Sequence, residues 1–288
     1  MNSKRQLNLV FGLMSVVLLL VGCGAPPAAS VTEVPPATPT IEQPIITLTP
    51  IPPTSTPEPQ IKILVVGNSM TATYEDMGRK GLDLHLEKLA DSATPPLVIE
   101  TDAFNKDGAT LEIMWGFTKL HELISEGNFD IVILQGDIPE TNVETFQEYV
   151  RKFDTEIKEA GAETLLYMTW GYNRLGWIST EEIAQAHRDI AAELDIDVAP
   201  VGLAMKRAMD ESRDQGMFMD MYYEDREHPN LHGSYLAANI VFATVFGESP
   251  IGLAYLPSEE NGVTVTEEEA ALLQRIAWET VQEYQAQK

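Results

Sequence analysis

Residues 61–288 are predicted to form a doubly wound α/β/α sandwich around a mostly parallel sheet of about five strands. Three observations lead to this fold class. Short, β-branched apolar runs recur along the chain, amphipathic helical patterns separate them, and a Gly-Asn-Ser turn follows the first run directly. Near-continuous apolar strands are typical of a parallel sheet that is buried on both faces.

The strands are predicted from the apolar runs. The first run, Ile61–Gly67, reads IKILVVG and ends at the Gly-Asn-Ser turn. Three similar runs follow at Phe129–Leu134, Glu163–Met168 and Val198–Val201, and a weaker one lies at Leu97–Ile99. Five strands in one domain leave no need for a second domain.

The intervals between the strands have helical periodicity. The clearest helix is Thr180–Leu194, where Ser179 and Glu182 have the spacing of a capping box. Its apolar stripe consists of Ile183, Ala186, Ile190 and Leu194. Further helices are predicted at 75–91, 109–126, 142–160, 202–213, 232–246 and 265–286. Helices that alternate with strands in this way belong on both faces of the sheet.

The composition excludes two classes of protein. The chain has 19 basic and 44 acidic residues, a formal net charge of −25. Nucleic-acid binding needs clustered Lys and Arg, so nucleic acid is excluded as a partner. With 44% hydrophobic residues, the chain is too apolar to be disordered throughout.

The N-terminus has the pattern of a secretory signal. Lys4 and Arg5 precede the mainly apolar run Leu9–Val21, which is too short to be a confident membrane span. Residues Leu20–Cys23 resemble the lipobox of bacterial lipoproteins, where the signal is cut before a cysteine that carries lipid. The resemblance implies a signal peptide at 1–22 and a protein anchored through Cys23 in the bacterial cell envelope, facing outside the cytoplasm. The alternative is a free cysteine that ends an ordinary signal or anchor.

A proline-rich tether follows the cysteine over residues 23–60. Residues 24–60 hold 11 of the 18 prolines, many of them in Thr-Pro or Pro-Pro pairs. Such a chain favours extended polyproline II and cannot bury a core. We therefore expect a semi-rigid spacer that lifts the domain at 61–288 off the membrane, although a proline-rich protein ligand has a similar composition.

Candidate site residues follow the predicted strands, because ligands of such folds bind at the carboxyl ends of the strands. Ser69 follows the first strand and precedes a predicted helix, where backbone N–H groups stabilise negative charge. A simple turn with a serine N-cap gives the same pattern. Gly108 follows the second strand, and Gln135 places an amide at the end of the third. Each of these signals is weak alone.

A polar loop near the C-terminus supplies the missing acid–base chemistry. A hydroxyl nucleophile needs a base, and the base needs an orienting carboxylate. Asp225 stands three residues before His228, so one tight turn can bring them together. His232 falls where the next helix begins, and we expect it to cap that helix or to line the pocket. The three remaining histidines in this domain, which lie inside predicted helices, are His85, His121 and His187.

A metal site is the alternative use of the two loop histidines. His228 and His232 are four residues apart, as in zinc sites on helices. Pro229 makes this spacing loop-like, and the glutamate of the H-E-x-x-H motif is missing. The pattern therefore favours acid–base chemistry over metal binding.

The order of Ser69, Gly108, Gln135 and Asp225-x-x-His228 resembles the SGNH, or GDSL-like, serine hydrolases. The resemblance covers most of residues 61–288 and implies a flavodoxin-like fold. It implies that Ser69 is the nucleophile, His228 the general base and then acid, and Asp225 the group that holds the imidazole. It further implies an oxyanion hole formed by the N–H groups of Ser69 and Gly108. The family has an asparagine as third donor, and Gln135 is the candidate here.

The predicted function is that of an extracytoplasmic serine esterase acting on an acyl ester of a carbohydrate or another small polar molecule. The resemblance implies no cofactor and no metal. Four aromatic residues near the strand ends are candidates for a sugar-binding wall or for packing: Trp115, Trp170, Tyr172 and Trp177. The alternative is a non-catalytic surface lipoprotein that keeps the fold and binds a ligand.

Overall fold

The structure, a computed structural model, describes residues 61–72, 80–259 and 262–287. The predicted signal peptide, the lipidation site at Cys23 and the tether lie outside the described residues. Residues 75–79 of the helix predicted at 75–91 also lie outside the described residues.

The described chain forms one five-stranded parallel sheet, which confirms the predicted fold class. The strands are β1 (Ile61–Gly67), β2 (Ile99–Asn105), β3 (Ile131–Gln135), β4 (Glu163–Tyr167) and β5 (Asp197–Ala199). Their order across the sheet is β2-β1-β3-β4-β5, and every neighbouring pair is parallel. The chain therefore runs from β1 to β2 on one side and then crosses back past β1 to β3 on the other. This reversal of direction makes the carboxyl ends of β1 and β3 the switch point where such sheets bind ligands.

Helices cover the sheet between the strands. They are α1 (Leu82–Ser92), α2 (Leu111–Met114), α3 (Thr118–Glu126), α4 (Val143–Glu159), α5 (Thr180–Leu194), α6 (Val201–Asp214), α7 (Leu231–Phe246) and α8 (Glu267–Gln285). A 3₁₀ turn at Ile138–Glu140 follows β3. The predicted capping box of Ser179 and Glu182 is present at the start of α5. None of the helices within the described ranges is long and apolar enough to cross a membrane.

The alternation of side chains along β1 divides the core into two layers. Ile63 and Val65 pack with α1, α6, α7 and α8 on one face of the sheet. Leu64 and Val66 pack with α2 to α5 on the other. Successive residues of a strand point to opposite faces, so a strand that is apolar at every position is buried on both.

Two predicted elements differ from the structure. The weak run Leu97–Ile99 is replaced by the longer edge strand β2, in which no residue is fully buried and polar residues outnumber apolar ones. The helix predicted at 109–126 is two helices. The last helical hydrogen bond of the first helix runs from the N–H of Trp115 to the carbonyl of Leu111. Gly116, a poor helix former, follows it, and the second helix, α3, begins at Thr118.

Candidate active site

A cavity of about 680 Å³ opens at the carboxyl edge of the sheet, where β1, β2 and β3 end. Its lining residues are Ser69, Met70, Asp107, Gly108, Asp137, Glu140, Arg174, Tyr223, Asp225, Glu227 and His228. Of the residues predicted for the site, Ser69, Gly108, Asp225 and His228 lie together in this cavity. Gln135 is not among the lining residues.

Asn68 fixes the turn that presents Ser69. The carbonyl of Asn68 accepts from the N–H groups of Thr71 and Ala72, each at 3.1 Å, and its side-chain oxygen accepts from the N–H of Met70 at 3.0 Å. The chain therefore turns tightly directly after β1. Asn68 is 1% exposed, so the hydrogen bonds that position Ser69 at the edge of the cavity are made by a buried residue.

The imidazole of His228 lies between Ser69 and Asp225. Nε2 is 2.9 Å from Ser69 Oγ, and Nδ1 is 2.9 Å from Asp225 Oδ2. A carboxylate only accepts hydrogen bonds, so the neutral imidazole carries its proton on Nδ1 and accepts from the serine hydroxyl at Nε2. The arrangement can move a proton from the serine to the histidine.

The loop geometry keeps Asp225 ionised and oriented. Its Oδ1 accepts from the backbone N–H groups of Glu227 and His228, both at 2.9 Å. Partial burial raises the pKa of Asp225, but these two N–H groups and the imidazole of His228 outweigh it and hold the pKa below its usual value. Arg226, which lies between Asp225 and Glu227 in the chain, has a φ of +60°. This is the left-handed conformation that the tight turn requires.

Two further side chains, Trp170 and Asn230, hold the histidine loop against the domain. Trp170 Nε1 donates to the carbonyl of Glu227 at 3.1 Å. Asn230 Nδ2 donates to the carbonyl of Asp220 at 2.8 Å, and Asn230 Oδ1 caps α7 by accepting from Gly233 N at 3.1 Å. The loop is therefore tied at both sides of His228.

Gly108 lies beside Ser69 because β1 and β2 are adjacent parallel strands. Its φ is +64°, a conformation that costs a residue with a side chain and that glycine adopts freely. A glycine at this position lets the backbone line the cavity directly.

Gln135 has a different role from the one predicted. It is 2% exposed, and its Oε1 accepts from the N–H of Asn68 at 2.8 Å. Its Nε2 donates to the carbonyl of Gly136 at 3.2 Å. Because the N–H of Asn68 must face an acceptor, the amide orientation is fixed, and one of its two N–H donors points to the backbone carbonyl of Gly136. Gln135 supports the serine turn from below.

Asp137 is a site residue to which sequence analysis gave no role. It is 3% exposed and lines the cavity, and its Oδ2 accepts from Asn68 Nδ2 at 2.8 Å. Burial raises the pKa of Asp137, and the nearby Glu227 adds to this effect, while the Asn68 amide, the Tyr172 hydroxyl and Arg174 act in the other direction. The sequence signal that could have identified Asp137 is its position directly after β3, at the carboxyl end of a strand.

Arg174 bridges two glutamates across the mouth of the cavity. Its guanidinium donates to Glu140 through Nη2. It also donates to Glu227 through Nε and Nη2, and Nη2 is 3.0 Å from Glu227 Oε1. These residues come from three separate segments of the chain, so no local pattern connected them.

His232 lies outside the cavity. It stands in the first turn of α7, whose N-cap is Asn230, and its Nε2 is 3.3 Å from Glu269 Oε1. His228 and His232 thus face different partners, and no group of three or more residues suited to metal binding occurs in the part of the chain that the structure describes.

The candidate aromatic residues pack inside the domain or at its surface. Trp170 and Tyr172 are each 2% exposed, and Trp115 contacts Phe153 edge-on at 4.9 Å. Trp177 Nε1 donates to the carbonyl of Pro139 at 2.9 Å. None of the four belongs to the cavity lining, where Tyr223 is the aromatic residue.

Comparisons with known proteins identify the fold. No protein-family model matches the chain, and no curated protein shows a significant match. Among solved structures, a DUF4886 family protein from Bacteroides uniformis ATCC 8492 has 16% identity and a TM-score of 0.59, with 77% of this chain and 95% of that chain covered.

Two other solved structures extend the comparison. A protein from Slackia heliotrinireducens, predicted to be an SGNH hydrolase, has 23% identity and a TM-score of 0.50, covering 64% of this chain and 98% of its own. A mutant of Axe2, an acetyl-xylooligosaccharide esterase from Geobacillus Stearmophilus, has 15% identity and a TM-score of 0.51, covering 70% and 98%. The described domain therefore shares the fold of these proteins.

Proposed function

We propose that the chain is an extracytoplasmic serine esterase that hydrolyses an acyl ester of a carbohydrate or another small polar molecule. The observation that carries the proposal is the hydrogen-bonded series Ser69, His228 and Asp225, with 2.9 Å at each step. These are the residue types and distances that nucleophilic acyl transfer requires. They line a cavity of suitable volume for a small ligand.

In the proposed mechanism, Ser69 Oγ attacks the ester carbonyl while its proton moves to His228 Nε2. Asp225 accepts from Nδ1 and stabilises the imidazolium that forms. The protonated imidazole then gives its proton to the departing alcohol, which leaves an acyl group on Ser69. Water, deprotonated by the same imidazole, releases the acid and restores the serine.

The tetrahedral intermediate carries a negative oxygen that needs hydrogen-bond donors. We assign this role to the backbone N–H groups of Ser69 and Gly108, because both residues line the cavity from adjacent strand ends. Loss of one such donor typically costs about 3 kcal/mol of transition-state stabilisation. Gln135 contributes indirectly, through its bond to the N–H of Asn68.

The location of the enzyme is inferred from the sequence. The lipobox-like residues Leu20–Cys23 and the proline-rich segment to residue 60 support a membrane partner reached through a lipid anchor, with the domain outside the cytoplasm. The net charge of −25 argues against nucleic acid. Substrates in this setting are small ester-bearing molecules or glycan esters of the envelope.

A panel of chromogenic esters tests the proposal. The full chain should hydrolyse at least one ester, and Ser69→Ala or His228→Ala should lower kcat/KM by a factor on the order of 10⁴ or more. His232→Ala is the matched control and should keep substantial activity, because His232 pairs with Glu269 outside the cavity. Activity that survives Ser69→Ala but disappears with a chelator would replace this mechanism with a metal-dependent one. A protein that cleaves no ester would be better described as a binding lipoprotein.

A further inference from the structure

Tyr223 lines the cavity directly beside His228. The N–H of Tyr223 donates to the carbonyl of His228 at 2.9 Å. The preceding residue, Tyr222, pairs with Pro229 in an antiparallel bridge. Tyr223 and His228 are therefore opposite residues of a short antiparallel pair, and the side chains of opposite residues point to the same face. Both residues line the cavity, so the phenol ring and the imidazole share one wall.

The ring of Tyr223 is held in place and accessible. Its hydroxyl donates to Glu259 Oε1 at 3.3 Å, which ties the far end of the ring to a separate segment of the chain. The residue is 38% exposed, so part of the ring is open to a ligand. Of the cavity-lining residues that the structure describes, Tyr223 alone is a Phe, Tyr or Trp. It therefore supplies the flat apolar surface of the site.

The chemistry of the proposed reaction directs the alcohol part of the ester to this wall. His228 gives its proton to the departing alcohol oxygen, so that oxygen must lie within hydrogen-bond reach of Nε2. The carbonyl oxygen faces the N–H groups of Ser69 and Gly108, and the acyl chain takes the remaining direction at the reacting carbon. The group attached to the departing oxygen therefore extends along the wall that Tyr223 shares with His228.

The other side chains of this wall are hydrogen-bond acceptors that are held in place by the protein. Asp225 bonds to His228. Glu140 and Glu227 each bond to Arg174. A carboxylate has about four acceptor positions, so each of these groups can also accept from a hydroxyl of a ligand. The wall thus combines one flat apolar ring with several acceptors.

We propose that the alcohol part of the substrate is a sugar ring, and that Tyr223 is the residue that selects it. A pyranose has a C–H face, which packs on an aromatic ring, and hydroxyl groups at its edge, which donate to carboxylates. An aryl alcohol covers the apolar ring but brings no donors for the acceptors, and an open-chain polyol brings donors but no face. The proposal rests on the esterase function proposed above, since it names the substrate class of the same site.

Three acetate esters of primary alcohols test the shape of the alcohol part. They are the primary acetates of methyl glucoside, a sugar ring, and of glucitol, an open chain, together with benzyl acetate, a ring without hydroxyl groups. The full chain should show a kcat/KM at least about tenfold higher for the glucoside ester than for the glucitol ester, because the open chain loses more conformational freedom on binding. Benzyl acetate should also react more slowly than the glucoside ester. A glucitol or benzyl ester that reacts as fast would overturn the proposal.

Substitutions at Tyr223 assign the preference to one residue. Tyr223→Leu removes the flat ring, so the ratio of glucoside to glucitol kcat/KM should fall about fivefold or more. Tyr223→Phe keeps the ring and should restore most of the ratio. Phe218→Leu removes an aromatic ring that is 74% exposed and outside the cavity lining, and it should leave the ratio as in the wild type. An unchanged ratio in Tyr223→Leu, or an equal fall in Tyr223→Phe, would overturn the proposal.

The acyl part supplies a readout that general damage to the site would not match. The primary acetate and the primary butanoate of methyl glucoside differ only in the acyl chain. Because Tyr223 lies on the alcohol side, Tyr223→Leu should leave the ratio of their kcat/KM values as in the wild type. A change in this ratio as large as the change in the alcohol ratio would contradict the assignment.

A binding measurement separates this inference from the esterase function. Ligand-observed NMR with Ser69→Ala measures binding of the glucoside and glucitol acetates without any need for hydrolysis. The glucoside ester should bind more tightly, and Tyr223→Leu added to Ser69→Ala should weaken its binding about fivefold or more. If the wild-type chain cleaves no ester but this pattern appears, the sugar site stands and the esterase function falls. If the glucoside ester binds no better than the glucitol ester, or binds equally well without the Tyr223 ring, the sugar site is wrong.

Discussion

The imidazole Nε2 of His228 lies 2.9 Å from the hydroxyl of Ser69, although 159 residues separate the two in the chain. The sheet accounts for the approach. Ser69 follows β1 in the centre of the sheet, and the loop of His228 is tied to the same edge through Trp170, which follows β4. The strand order thus assembles a base and a nucleophile from the two ends of the domain.

The bond from Asn68 N to Gln135 Oε1 predicts unequal effects of two substitutions. Burial raises the pKa of a glutamate, and the protonated form of Gln135→Glu keeps a carbonyl acceptor for Asn68 and an O–H donor for Gly136. Gln135→Met keeps neither. We expect Gln135→Glu to retain clearly more kcat/KM than Gln135→Met, whose loss should reach about tenfold. Equal losses in the two variants, measured on folded protein, would mean that the acceptor does not support the serine turn.

Gly67 stands where a side chain has no room. A Cβ there would lie 2.2 Å from Thr71 Oγ1 and 3.0 Å from Gln135 Oε1. Gly67→Ala should therefore lower the free energy of unfolding by about 1–3 kcal/mol, and kcat/KM should fall because the Ser69 turn shifts. Urea unfolding measures the first effect.

Gly116→Ala is the matched control for that substitution. The nearest atom to its Cβ, the carbonyl oxygen of Ile113, is 3.3 Å away, so the cost should stay below about 1 kcal/mol. A similar loss of unfolding free energy in both alanine variants would show that Thr71 and Gln135 move away from a Cβ at position 67 at little energetic cost.

His187 makes the fold sensitive to acid. It is fully buried beside Phe146, and burial lowers its pKa to about 4, although its bond to the Ile183 carbonyl acts in the other direction. The unfolded chain therefore takes up a proton near pH 6.5, before the folded one does. The stabilising contribution is complete above pH 6.5 and is lost as the pH falls towards 4, by about 2 kcal/mol at pH 5.

Urea unfolding at pH 8 and pH 5 checks this titration. The loss of unfolding free energy between the two values should be about 2 kcal/mol smaller in His187→Leu than in the wild type, because leucine does not titrate. The comparison between the two proteins removes the contribution of the other acidic and basic groups. The same pH dependence in both would contradict the assignment to His187.

Much of the fold could be predicted because its strands are buried on both faces. Continuous apolar runs such as Ile61–Gly67 are distinctive, and the capping box at Ser179 marks a helix start by itself. The bounds of the edge strand β2, predicted at Leu97–Ile99 and found at Ile99–Asn105, and the break at Gly116 were not predicted, for one reason. Partial burial and a local interruption depend on which neighbours cover a segment, and periodicity does not contain that information.

The site divides in the same way. Asp225 and His228 are close in sequence, so their hydrogen bond could be expected from the chain alone. The roles of Gln135 and Asp137 depend on the direction of each side chain at the end of β3, which the Asn68 turn determines. Such long-range hydrogen bonds leave no spacing signal, and only the folded chain shows them.

The anchor prediction concerns Cys23. The lipobox-like residues Leu20–Cys23 predict that the full chain takes up labelled fatty acid and partitions into detergent. Cys23→Ala should do neither. Expression of both proteins in a bacterium fed with labelled palmitate measures the difference. Equal labelling of the two proteins would show that Cys23 carries no lipid.

Labelling by a fluorophosphonate, followed by mass spectrometry of the peptides, shows whether Ser69 is an activated nucleophile. The native chain should gain one adduct, on the peptide that contains Ser69. Ser69→Ala, His228→Ala and the heat-unfolded wild type should gain no adduct. The reactivity of the serine depends on the hydrogen bond between His228 Nε2 and Ser69 Oγ, which only the folded chain makes. An adduct on another serine, or no adduct on the folded wild-type chain, would contradict the claim.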